Sequence, residues 1–113
     1  MRKYLFPVLL LLLAVLGCGH KEKVLKPTVF LTEQQMIDVL SDSYLIEAEL
    51  NQMKSEGKEV GGLQRIYYEQ LFEHYGITDT IFEENMSYYS YHLEDLERIM
   101  DSVMNRFIKA QGQ

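Results

Sequence analysis

Two hydrophobic rhythms divide the chain. Behind Met1-Arg2-Lys3, the thirteen residues from Tyr4 to Leu16 carry no charge, with Pro7 among them. From Phe30 onward, apolar residues return every three or four positions, the period of a helix that buries one side. No stretch alternates apolar and polar residues for long enough to make a strand. The pattern predicts an all-α fold, a small bundle of three or four helices.

The helices are well punctuated. In "LTEQQM", Thr32 stands at an N-cap with Gln35 at N3, the pattern of a capping box, and Leu31 and Met36 bracket it as a hydrophobic staple. A first helix follows from Glu33 to about Lys54. At 100° per residue, Met36, Ile37, Leu40, Tyr44 and Ala48 share one face, and Asp38, Asp42 and Glu49 the opposite one. Val39, Ile46, Leu50 and Met53 form a second apolar flank, so this helix is expected to be contacted from two sides. "SEGKEVGG", Ser55 to Gly62, reads as a mobile loop. A second helix is expected from about Leu63 to Tyr75, with Leu63, Tyr67, Leu71 and His74 on one stripe and Gly76 as its left-handed terminator.

The chain restarts at "ITDTIFEE", where Thr78 is the expected cap, Asp79 sits in the first turn, and Thr80 with Glu83 offers a competing box. Phe82, Met86, Tyr89 and Leu93 align on a third helix. Near His92 the chain either bends or runs on. Leu93, Leu96, Met100, Val103 and Phe107 then form a seam at spacings of three and four. Glu94, Asp95 and Glu97 crowd its start, and Arg106 and Lys109 lie near its end, the favourable charge order for a helix dipole.

The leading segment fixes the expected address. A basic start and a short apolar run fit a secretory signal, and the run falls short of the roughly 20 residues that span a bilayer. Val15-Leu16-Gly17-Cys18 resembles the bacterial lipobox, which implies diacylglyceryl attachment to the Cys18 sulfur, cleavage before it, and acylation of the new amino group. Cys18 is the one cysteine in the chain, and a lipidated thiol escapes the liability of a free one in an oxidising compartment. The expected domains are residues 1–17 as signal peptide, 18–30 as lipidated cysteine and flexible tether, and 31–110 as helical bundle. Gly19 in place of an aspartate, and no acidic cluster in "GHKEK", favour an outer-membrane anchor with the domain facing the periplasm.

Charge narrows the partners. The whole chain carries a net −6, and loss of Arg2 and Lys3 with the leader takes it to −8. Such a surface repels phosphate backbones, so no nucleic acid is expected. With one cysteine no internal disulfide is possible, and stability must come from packing.

Beyond these signals, "YEQLFEHYGITDTIFEENMSYYSYHLEDLERIMDSV" resembles the C-terminal signature of a family of small bacterial lipoproteins known as domain of unknown function 4296. Tyr75-Gly76-Ile77-Thr78, Phe82, the small polar Asn85 and the twin Tyr88-Tyr89 carry the likeness, and "MIDVLSDSYLIEAEL" with Glu47 extends it to the first helix. It covers roughly residues 31–108. Members often carry a proline where the third helix gives way to the fourth; here the segment is Tyr91-His92-Leu93. The resemblance implies no catalytic residues.

Candidate chemistry is sparse. His20, His74 and His92 lack companions at metal-ligand spacing, so no metal and no cofactor is expected beyond the lipid on Cys18. His74 is placed to meet free carbonyls at its helix end, and His92 to mark a junction. Glu47 falls inside an apolar stripe and needs a partner, a tyrosine hydroxyl or Arg65, as a buried polar bridge. Tyr44, Tyr67 and Tyr89 sit on core stripes. Ile81, Tyr88 and Tyr91 point away from the Phe82 stripe and are the candidate partner-binding face, unless another helix covers them. The expected function is a non-enzymatic, membrane-anchored helical adaptor for an envelope protein; the alternative is a chaperone-like module with a client groove of methionine and tyrosine. Mass spectrometry of the mature N-terminus is expected to find Cys18 first and acylated; an unmodified Cys18 refutes the lipoprotein assignment.

Overall fold

A computed structural model of the protein describes residues 26–112. The expected signal peptide, Cys18 and the tether as far as residue 25 lie outside the described residues. Four helices follow in order: α1 (Glu33–Ser55), α2 (Gly61–Tyr75), α3 (Asp79–Ser90) and α4 (Leu93–Ala110). No strand occurs among the described residues, and none of these helices is long and apolar enough to cross a membrane.

The capping box at the start of α1 forms in both directions. The Gln35 amide donates to Thr32 Oγ1 at 3.2 Å, and the Thr32 amide donates to Gln35 Oε1 at 2.8 Å. Leu31 and Met36 are both buried in the main core cluster. α1 has 23 residues, a rod of about 34 Å, and it is the spine of the fold: α2 packs on one side and α4 on another, while α3 packs on α4. Ion pairs Glu33–Arg98 and Asp38–Arg106 ascend α1 and α4 together, so these two helices run parallel. Glu47–Tyr68 and Asp42–Tyr75 contacts show that α2 runs the other way. α3 continues in the sense of α2, down to Leu31 before α1. Two short helices in succession thus cover one long one.

Gly76 makes the succession possible. It adopts φ +66 at the end of α2, where an L side chain is strained, and the amides of Gly76 and Ile77 return to the carbonyls of Glu73 and Phe72. His74 is exposed and lies edge-on to Tyr75 at 4.9 Å. Its expected place at the helix-end carbonyls is taken by backbone. Thr78 caps α3 through the Ile81 amide at 3.2 Å, and the competing cap at Thr80 is not used.

At the α3–α4 junction the chain bends without a proline. The amides of Tyr91 and His92 bond to the carbonyls of Tyr88 and Tyr89, and His92 Nδ1 lies 2.8 Å from the Tyr88 carbonyl oxygen. α4 then begins at Leu93, which is 71 % exposed because it is the first residue of its helix. The seam centres instead on Ile99 and Val103, both fully buried. Tyr44 also departs from its expected core place: it is 36 % exposed and meets Phe107 at the bundle edge. Gly61 and Gly62 belong to the first turn of α2 rather than to the loop, because buried Val60 fixes where that helix starts.

The main core gathers Leu31, Met36, Ile37, Leu40, Tyr89, Ile99 and Val103, with Phe82, Met86, Leu96 and Met100 packed at its margin. Against it lies a strap that no hydrophobic period announces. Pro27 is buried, and the following backbone is held by α3. Asn85, fully buried, accepts from the Leu31 amide at 2.8 Å and donates to the carbonyls of Val29 and Ile81, each at 2.8 Å. The Tyr89 hydroxyl donates to the Leu31 carbonyl at 2.6 Å, and the Thr28 amide donates to Glu84 at 3.3 Å. Among the described residues, packing is thus already present at Pro27, within the segment expected as tether.

Asn85→Ala removes the partners of the Leu31 amide and the Val29 carbonyl. A buried orphan group costs roughly 1–3 kcal/mol, so the substitution is expected to destabilise the domain by about 2–4 kcal/mol in urea unfolding. Hydrogen exchange should show the Leu31 amide losing protection before the middle of α1 does.

Candidate functional site

Two tyrosine–carboxylate bridges join α1 to α2. Tyr68 donates to Glu47 Oε1 at 2.6 Å, and Tyr75 donates to the Asp42 carboxylate. Of the two partners considered for Glu47, the tyrosine hydroxyl holds it, and Arg65 lies on the outer side of α2. Burial, followed by the hydrogen bond and the negative charge of Glu47, pushes the Tyr68 phenol well above its ordinary range. Tyr75 is raised in the same way by burial and then by Asp42, with a smaller opposing pull from Arg106. Asp42, placed on the face opposite the Met36 stripe, is thus a structural acceptor. Its neighbour Asp38 binds Arg106 at 2.6 Å and Gln34 at 3.0 Å.

Among the described residues no helix lies over the outward stripe of α2. Gly61, Arg65, Tyr68 and Phe72, with Ile77 to Asp79 of the following turn, line a groove of about 830 Å³. Phe72 forms its floor, meeting Phe82 of α3 at 5.5 Å and Tyr68 at 6.0 Å between ring centroids. Glu69, Glu73 and Asp79 stand on its rim with Arg65. Behind Tyr68 a smaller cleft of about 220 Å³ reaches Leu40, Glu47 and Met86. The groove was legible only in part. The four-residue spacing of Tyr68 and Phe72 signals a second apolar stripe on α2, but the stronger stripe of Leu63, Tyr67 and Leu71 draws attention first.

Ile81, Tyr88 and Tyr91 do not form one open face. Ile81 and Tyr88 are half-buried and pack against the core. Tyr88 is covered by the strap rather than by a helix: Phe30 meets it edge-on at 5.2 Å, and His92 stacks on it at 4.2 Å. Tyr91, at the end of α3, is 56 % exposed. The cover comes from a residue more than fifty positions away, which a helical wheel of α3 alone does not register. Cys18 and His20 lie outside the described residues, and among the described residues no group of three or more His, Cys, Asp or Glu is placed to hold a metal ion.

A family model described as Domain of unknown function (DUF4296) matches residues 27–113, starting where the strap is first buried. No curated protein and no solved structure matches the chain.

The bridges imply a pH dependence with a definite sign. A phenol whose folded pKa is raised stabilises the fold fully below its ordinary value of about 10, and that stability is lost as pH climbs through the raised folded values. Thermal melts are expected to fall on the alkaline side above about pH 10. Tyr68→Phe and Tyr75→Phe should each flatten that fall while lowering stability modestly at neutral pH.

Proposed function

This chain belongs to the Domain of unknown function (DUF4296) family, and on that footing we propose that it is a lipid-anchored envelope protein acting as a non-enzymatic helical adaptor. The lipobox at Cys18 supports the anchor, and the sorting residues after it favour the outer membrane with the domain in the periplasm. Two or more acyl chains hold a protein stably where one does not.

The α2 groove, uncovered among the described residues, carries the adaptor reading. Tyr68, Phe72 and Ile77 present aromatic and apolar surface to solvent in a channel of about 830 Å³, the kind of site where buried anchors of a partner dock. Its rim has three carboxylates against one guanidinium. The occupant is accordingly a segment of an envelope protein with apolar residues on one side and lysine or arginine at its edges. The alternative client-binding role draws less support, because Met36 is buried and Met86 and Met100 pack against the core instead of lining this groove.

A photo-cross-linker at Arg65 in native membranes is expected to capture one stoichiometric protein, and the same group at exposed Asp101 on α4 is not. Joint Glu69→Lys and Glu73→Lys should cut that capture about tenfold and make it less sensitive to salt. Identical capture from both positions sinks the groove, and a patchwork of unrelated proteins from Arg65 selects the client-binding role.

A further inference from the structure

The two most exposed large hydrophobic residues lie at the α3–α4 break, on the side where the strap is docked, while the next, Ile108, stands apart near the C-terminal end of α4. Leu93 is 71 % exposed and Tyr91 56 %, ahead of every other large hydrophobic side chain among the described residues. Val29 and Phe30, on the strap, are 45 % and 41 % exposed. These residues join into one surface. Phe30 packs on Tyr88, Tyr88 stacks on His92, and Tyr91 and Leu93 flank His92 at the α3–α4 break. Lys26 closes the margin, its Nζ 5.5 Å from the centre of the Phe30 ring.

From these positions we infer that this corner of the bundle rests on the lipid surface, with Phe30, Tyr91 and Leu93 in the interfacial layer and the Lys26 ammonium among the headgroups. The inference rests on the anchor in the reading above. Seven residues separate Cys18 from Lys26, and the eight steps between them reach at most about 29 Å. The strap is fixed to α3 by Asn85 and Tyr89, so the patch is held next to the place where the leash begins. The opposite end of α1 stands about 34 Å away.

The side chains suit the interface. Tyrosine and phenylalanine keep an apolar body against acyl chains, and lysine extends its charge outward. Confinement by the anchor makes a contact too weak for a free protein effective, because the second encounter is intramolecular. The acidic groups nearby set the lipid type. Glu94 and Asp95 lie beside Leu93, with Asp95 partly neutralised by Arg98, and Glu84 sits beneath the strap. They disfavour an anionic surface and match a zwitterionic one.

The test uses the full mature lipoprotein in phosphatidylethanolamine vesicles with a minority of phosphatidylglycerol. With the Cys18 sulfur lipidated, Leu93→Cys and Glu59→Cys each give a single site for an environment-sensitive dye. The dye at position 93 is expected to shift to the blue and be quenched several-fold more by nitroxide-bearing lipids than the dye at position 59, in the α1–α2 loop. Equal quenching at both positions overturns the inference, as does a dye at 93 shielded from water but untouched by the nitroxides, which means that protein covers the patch. A mature chain that fails to float with vesicles overturns the anchor itself; one that floats while position 93 stays in water overturns this inference alone.

Discussion

A buried primary amide must satisfy both its oxygen and its nitrogen or be expelled, and Asn85 meets that demand with the backbone of a segment far away in sequence. Its oxygen takes the Leu31 amide and its nitrogen reaches the carbonyls of Val29 and Ile81. This side chain thus bonds the strap much as a neighbouring strand would, without a strand being present. Leu31 is thereby lodged in the core, α1 starts at a fixed point, and α3 acquires a neighbour on the side that α4 leaves open. An aspartate there would supply no donor and bury a charge; a leucine would leave the Leu31 amide without a partner.

The rest of the architecture is organised around α1. One apolar face of that helix meets α4 and the core beneath α3, and another meets α2. The second interface is bordered by the two tyrosine–carboxylate bridges, which set how far along α1 the shorter α2 can slide. Their energetic cost is moderate because each carboxylate is only half-buried, and each hydroxyl donates to a formal charge, a stronger bond than one between neutral groups. The pairing also explains why Glu47 is accommodated on an otherwise apolar stripe.

Much of this was legible in the chain. Caps at Thr32 and Thr78, the terminator at Gly76 and the apolar periods of α1, α2 and α3 are local signals, and local signals survive folding when packing agrees with them. What escaped depends on distant pairing. The strap has no period, since polar backbone atoms and not a repeating side chain hold it. Ile99 falls between the positions of an idealised seam, yet it is completely buried because the facing surface is broader than one stripe. The exposure of Leu93 follows from the bend at His92, which the local sequence left open between bending and running on, and the cover on Tyr88 comes largely from Phe30 on the distant strap.

The lie of the strap also bears on mechanics. Its contacts run in step with α3, from Thr28 at Glu84 to Leu31 at Tyr89. Tension directed along it loads those contacts side by side in shear, so they must yield together, whereas a perpendicular tug would unzip them singly. Under the proposed anchor, a globule moored through this strap would resist drag from flow or from a moving neighbour better than the modest size of its interior implies.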